Sequence, residues 1–322
     1  MTASADSPHP AIRAGPIGTR DAPPTTISAY LAVSLHSTVD ATENDRLQIC
    51  AQDFARIASG PDDDVDLGRA AILLGRIAEP TLDVERTLAR LDGLAAQASG
   101  HLAEGSAADR AERLAAFLFN DLGFAGDQDD YYQPDNSYLH RVVERRRGLP
   151  ITLSIVMIEV ARRLELVVEG VGAPQHFIVR LPANFGPEPR LLDPFNGGCR
   201  VDTEELRAEL DRSGAQGDSS LAAVTRRQIL ARVLNNLKAA GIRRGDGATA
   251  LGATEHLVAL TPWALEEIRD RGVLRAREGL TQRGLQDLTT YRDHVGKPPD
   301  LARVEAMIDR LSKSNSQDSA SP

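Results

Sequence analysis

Aromatic residues are scarce in this chain: Phe, Trp and Tyr make up 4% of its 322 residues, with a single tryptophan. A core must therefore be built from Leu, Val, Ile and Ala. Cysteine is rarer still. Cys50 and Cys199 are the two present, too few for a disulfide framework or a four-cysteine metal site, and such usage fits a reducing compartment. Basic charge is not in excess: the net charge of -9 and pI near 5.4 argue against a polyanion-binding face, so no nucleic-acid partner is expected. Long apolar runs are also missing. The stretch 27–35 falls far short of the ~20 residues a membrane helix needs, so no membrane association and a cytoplasmic location are expected.

Cofactor signatures are wanting too. The seven histidines, at 9, 36, 101, 140, 176, 256 and 294, show neither the i,i+4 pairing nor the Cys-His clustering of a zinc site. Gly170-Val171-Gly172 lacks the third glycine of a dinucleotide loop, and no Gly-Lys-Ser/Thr phosphate loop occurs. No metal and no cofactor are expected.

What is present is ordinary globular material, 42% hydrophobic and 26% charged, enough for two or three compact units. Residues 1–26, with Pro8, Pro10, Pro16, Pro23 and Pro24 and no apolar signal region, read as a disordered tail. Residues 27–122 carry helical periodicity, for example Ala70, Leu73, Leu74 and Ile77. The acidic run Asp62-Asp63-Asp64-Val65-Asp66 does not continue as a calcium loop, because its sixth and twelfth positions are Leu67 and Leu73. Asp66 reads instead as a helix cap.

Residues 123–215 change texture. A polar loop, Ala125 to Asn136, precedes a helix predicted from Ser137 to Arg147 and ended by Gly148. A second helix opens at Pro150. Three extended segments follow, at Val167–Val171, His176–Leu181 and Arg190–Phe195. Residues 221–311 are helical again, with Pro262 and Pro298 spaced 36 residues apart, close to the ~34-residue tetratricopeptide period. Two such repeats should lean on the α+β core or on another chain. A tail is expected over 312–322. The fold class is α+β, predominantly helical, with a helix packed on a small antiparallel sheet.

The segment from Gly148 to Asp193 suggests chemistry: a helix opened by Gly148-Leu149-Pro150, then His176, then Asp193. Covalent acyl transfer uses a nucleophile at the positive end of a helix, a base, and a carboxylate that orients the base. His176 and Asp193 fit the last two roles, and Pro150 stands where the nucleophile belongs. Stepping at 100° per residue puts Ser154 on Pro150's side, one turn or about 6 Å deeper. The same stepping puts Thr152 opposite, in a polar stripe with Glu159 and Arg163. Cys199 is the remaining thiol, with no helix N-terminus beside it.

Plainer readings exist for each residue. His176 suits a structural strand-end histidine, and Asp193-Pro194 suits the start of a turn. Arg180, on the strand face of His176 and Ile178, could salt-bridge Asp193 or Glu159, or offer a fork to a carboxylate. Tyr132, Asn136, Ser137 and Tyr138 border the segment and could line a cleft, although helix capping explains Asn136 equally well.

Asn120-Asp121-Leu122-Gly123-Phe124, Tyr131-Tyr132-Gln133-Pro134-Asp135-Asn136-Ser137-Tyr138-Leu139, Glu144 through Ser154, Gly170 through Phe177 and Asp193-Pro194-Phe195-Asn196-Gly197-Gly198 together resemble the SirB-type transglutaminase-like family. The resemblance spans roughly Asp66 to Leu311. It implies a transglutaminase-like core followed by tetratricopeptide-like helices. The wider superfamily carries Cys, His and Asp for acyl transfer or amide hydrolysis, and here the cysteine position falls on Pro150. The resemblance thus implies a degenerate enzyme fold kept as a regulatory module that binds a protein or peptide. The competing expectation is an unconventional acyltransferase or amidohydrolase using Ser154, or else Thr152 or Cys199, with His176 and Asp193.

Overall fold

The structure is a computed structural model that describes residues 39–102, 104–173, 176–181, 190–212 and 221–318, without the side chains of 173, 176, 209, 210 and 314–318. The expected N-terminal tail, the apolar stretch 27–35 and the loop 182–189 lie outside the described residues.

Among the described residues, the first four α-helices are each started by an acid or serine. Asp40 caps α1 (Ala41–Ala58) by accepting the Glu43 N–H at 2.8 Å, and α1 buries Leu47, Ala51, Phe54 and Ala58. Asp66 caps α2 (Leu67–Leu73) through the Arg69 N–H at 3.0 Å, as its place in the acidic run predicts. A 3-10 turn, Leu74–Ile77, leads to α3 (Val84–Ser99), capped by Asp83. Ser106 and Asp109 form a reciprocal capping box for α4 (Ala107–Ala115), which continues as a π-helical segment over Ala116–Asp121.

Next come two short parallel strands, β1 (Ala125–Gly126) and β2 (Arg147–Gly148), on either side of α5 (Leu139–Arg145). The helix predicted from Ser137 to Arg147 is therefore shorter. Ser137 closes a preceding 3-10 turn at Pro134–Asn136 and Tyr138 is the N-cap of α5, so the helix starts at Leu139, and Gly148 does not end it. Arg146 does, at φ 55°, because its N–H reaches Val142 O at 2.8 Å and its guanidinium reaches Leu122 O at 2.7 Å. An αL residue at this place is usually glycine.

Helix α6 (Pro150–Arg163) packs on an antiparallel sheet ordered β3 (Glu169–Ala173), β4 (His176–Leu181), β5 (Arg190–Asp193), β6 (Cys199–Arg200). The first strand begins two residues later than its apolar pattern suggests and includes Gly172 and Ala173. Phe177, Val179, Leu181 and Leu192 join α6 in the main core, while Val171, Ile178 and Leu191 form a second small cluster under Leu206 of α7 (Thr203–Arg212).

The C-terminal helices are α8 (Arg226–Arg244), α9 (Gly247–Leu260), α10 (Leu265–Arg277), α11 (Thr281–His294) and α12 (Leu301–Asp318). Breaks fall at Pro262 and Pro298, as predicted. The last helix runs past Ser312 to Asp318, because no proline or glycine interrupts 301–318. The repeats lean chiefly on α1, which packs along α9. Asn44 donates to Glu255 across this contact at 2.8 Å, and Glu255 and Asp287 share Arg271 and Arg275 in a buried four-member ion cluster at 2.5 to 3.2 Å.

Candidate functional site

The first turns of α6 are where a nucleophile would gain most from the helix dipole. Pro150 holds the first position, where its missing N–H is no loss. Thr152 is fully buried, so it does not belong to the polar stripe predicted by helical stepping. Its hydroxyl accepts the Leu149 N–H at 3.0 Å and donates to Asn136 O at 2.7 Å, closing the helix start onto the preceding loop. Ser154 is also fully buried, and its hydroxyl donates back to Pro150 O at 2.8 Å. Both hydroxyls thus serve the backbone.

Asp193 ends β5 and organises the turn that follows. Its Oδ1 accepts the Phe195 and Asn196 N–H groups at 3.0 and 3.2 Å, and its Oδ2 accepts the Asn196 side-chain amide at 2.6 Å. These contacts make the Asx turn that Asp before Pro favours. Cys199 lies across the ladder from Asp193. Burial and the Asp193 charge both push its thiol above the ordinary range, the opposite of what an attacking thiolate needs. His176 opens β4 with its backbone paired to Ala173, and its side chain lies outside the described residues.

The loop before α5 is built around Asp127, a residue the motif reading passed over. Its carboxylate accepts the N–H groups of Asp129 and Asp130 at 3.2 and 3.0 Å and the Gln133 amide at 2.8 Å, and it meets Arg145 at 3.4 Å. Burial raises its pKa, but these hydrogen bonds, with one from Asn136, outweigh burial and hold it below the usual carboxylate range. Arg145 joins this hub to Asn136 Oδ1 at 3.3 Å. Gly126 lies against the Phe195 ring so closely that an added Cβ would stand 2.4 Å from it, which explains a glycine in β1. An acid followed two and three residues later by polar loop residues was the available signal for Asp127.

Three expected cleft residues sit elsewhere. Asn136 is fully buried and donates to Asp130 O and Tyr131 O, so it neither lines a cleft mouth nor caps a helix. Tyr138 is 1% exposed, with its hydroxyl 3.4 Å from Thr249 of α9. Arg180 pairs with Glu169 on the neighbouring strand at 2.7 Å, because the register sets those two residues opposite each other, and not with Asp193 or Glu159. Glu159 is held by Arg163 at 2.7 Å instead. Tyr132 remains half-buried, with the Arg243 guanidinium 4.0 Å from its ring centroid, and Arg244 pairs with Asp130 at 3.1 Å. The loop is thereby clamped to α8. Among the described residues no three of His, Cys, Asp and Glu converge as metal ligands, and no helix is long and apolar enough to cross a membrane.

Sequence comparison places these parts in known company. A transglutaminase-like superfamily profile matches residues 85–235, and a tetratricopeptide-repeat profile matches residues 237–309. A UPF0162 protein of Pseudomonas aeruginosa is 31% identical over 201 residues, covering 61% of this chain and 72% of the relative. The chain belongs to the SirB1/UPF0162 family.

Other family relatives include the SirB1 protein of Salmonella typhimurium, 26% identical over 239 residues, 73% of this chain and 88% of that protein. A UPF0162 protein of Xylella fastidiosa is 41% identical over 182 residues, 54% of this chain, and the match spans 64% of that relative's length. None of these names states a reaction. No solved structure matches the chain. In this chain the transglutaminase-like match ends at residue 235, within α8, the same helix whose Arg243 and Arg244 hold the loop after Asp127.

Proposed function

We propose that this SirB1/UPF0162 protein is a non-catalytic, regulatory binding module whose partner is another protein or a peptide. The core is assigned to residues 123–215 and the repeat helices to 221–311. The observation that carries this reading is the state of the α6 N-terminus. Pro150, which the family resemblance puts at the nucleophile position, opens the helix, and the two hydroxyls nearest it, Thr152 and Ser154, are buried and committed to backbone groups. Freeing Ser154 would mean breaking a buried hydrogen bond inside the helix and still leave the hydroxyl one turn too deep. The raised Cys199 thiol supports the same reading. The tetratricopeptide match supplies a scaffold type whose extended surfaces hold partners. The two unbonded cysteines accord with a cytoplasmic setting.

The test pairs two measurements on the full chain. Fluorophosphonate and iodoacetamide probes report any activated hydroxyl or thiol, and affinity capture with quantitative mass spectrometry reports partners. His176→Ala should leave both the labelling and the captured set unchanged. Labelling that vanishes in His176→Ala or Ser154→Ala would establish an acyl-transfer enzyme instead, since loss of a general base lowers rate by about 10²-fold or more.

A further inference from the structure

The turn after β5 carries a reactive pair of residues. Asn196-Gly197 is the one Asn-Gly step in the sequence. Such a step is thermolabile, because the backbone nitrogen that follows an asparagine attacks the side-chain amide carbon and a glycine puts no Cβ in the way. Here the attacking nitrogen is unencumbered. Asn196 is exposed, and among the described residues no acceptor is bonded to the Gly197 N–H. A Cβ added at Gly197 would meet nothing nearer than Asn120 Oδ1 at 4.0 Å.

The amide under attack is restrained by Asp193. Asn196 Nδ2 donates to Asp193 Oδ2 at 2.6 Å, the Asn196 N–H donates to Oδ1 at 3.2 Å, and the Gly198 N–H donates to Asp193 O at 2.7 Å. Cyclisation expels Nδ2, so its bond to Asp193 must be given up on the way.

We propose that Asn196 is a site of spontaneous deamidation whose rate is set by Asp193 and whose products loosen the turn. The Gly197 nitrogen bonds to Asn196 Cγ, the Cγ–Nδ2 bond breaks, and Nδ2 leaves as ammonia with the Gly197 proton. Water then opens the succinimide. Opening at Cγ gives aspartate, and opening at the Asn196 main-chain carbonyl gives isoaspartate, with the chain running through the former side chain. No oxidant or reductant is needed.

Either product conflicts with the turn. Aspartate sets a carboxylate oxygen where Nδ2 stood, 2.6 Å from Asp193 Oδ2, and two carboxylates that close cannot both stay ionised in place. Isoaspartate lengthens the main chain between Phe195, whose carbonyl accepts the Gly126 N–H at 3.2 Å, and Gly198, which lies against Phe119. The pairing of Cys199 with Asp193 is then strained from both sides. The partner class implied is a protein-isoaspartate methyltransferase. The proposal is independent of the binding-module reading above, and its failure would leave that reading intact.

The experiment incubates the full chain and a synthetic peptide of residues 190–200 at mildly alkaline pH. Peptide-mapping mass spectrometry follows amide-to-acid conversion at Asn196, and methyltransferase labelling reports isoaspartate. The peptide should convert fastest and the wild type more slowly, with Asp193→Ala about 10-fold faster than the wild type. Should Asp193→Ala fail to fold, Asp193→Asn keeps one acceptor oxygen and should convert at a rate between those of the wild type and the peptide. Asn196→Gln should stay unlabelled. Converted protein separated by ion exchange, and Asn196→Asp, should unfold at lower urea than the wild type. The Asn196→Asp deficit should shrink as pH falls through the carboxylate range, because protonation removes the repulsion. No conversion of Asn196 in the folded chain once the peptide has reacted fully, a rate unchanged by the Asp193 variants, or converted protein as stable as the unconverted would overturn the proposal.

Discussion

Acid should loosen this protein through one histidine. His256 lies on α9 with no exposed surface, facing α1, its ring 5.3 Å from that of Phe54. Its Nδ1 is 2.7 Å from Gly252 O, and a carbonyl can only accept, so Nδ1 carries the proton and Nε2 is the bare nitrogen. Nε2 is buried without a partner. Adding a proton there would place a charge in the core between α1 and α9. Burial, helped by Arg46 and opposed by the Gly252 bond, lowers the pKa from 6.5 to about 4.

The sign follows from linkage. The unfolded chain binds this proton from about pH 6.5 downward while the folded chain refuses it until about pH 4, so stability is full above 6.5 and declines as pH falls between those values. A shift of about 2.5 units at 1.36 kcal/mol each amounts to roughly 3 kcal/mol. Urea unfolding of the wild type and of His256→Leu, at about pH 7 and about pH 4, isolates this group, since every other titration is common to both proteins. The wild type should lose about 3 kcal/mol more than the variant across that interval. Equal losses, or a His256 ring signal titrating near its ordinary value, would refute the argument.

Three further outcomes are expected. Asp193→Ala removes the acceptor for three turn hydrogen bonds and should destabilise by about 1–3 kcal/mol in chemical denaturation, with Asp193→Asn retaining part of the loss. Thr152→Val removes the hydroxyl that bridges the Leu149 N–H and Asn136 O and leaves those two groups only their direct 3.3 Å bond, so a loss of about 1 kcal/mol is expected, read as a lower urea midpoint with unchanged slope. Arg275→Met leaves Glu255 and Asp287 short of a counter-charge in a buried cluster and should lower stability by about 3–5 kcal/mol; the double variant Arg275→Met with Glu255→Met should recover a measurable part in thermal melts.

Much of the fold could be read from the chain because it depends on local rules. Asp66 before an apolar run marks a cap, Pro150 marks a helix start, and Pro262 and Pro298 mark breaks. The misreadings have physical causes. Helical stepping sorts Thr152 as polar and therefore exposed, yet its hydroxyl is the means by which a buried helix start bonds a loop carbonyl. Glycine is the usual left-handed helix end, so Gly148 looks like the stop, while Arg146 takes that conformation two residues earlier with its side chain bonded to Leu122. Strands of two residues, such as β1 and β2, have no periodicity to read. At the candidate site the family residues are recognisable by their order, but Asp127, Arg145 and Phe195 come together only through chain pairings that spacing does not disclose.

The contact between α1 and α9 also has a temporal side. Asn44 and Glu255 are separated by 211 positions, so the polar clasp between them cannot close until most of the chain exists. At a synthesis rate of about 5–20 residues per second, α1 waits roughly 10–40 s after leaving the ribosome before α9 arrives to cover Leu47 and Phe54. During that interval its apolar side has no native cover from α9, and the nascent chain is a natural client for a chaperone. Slow codons placed ahead of α9 should lengthen this exposure and lower the soluble yield.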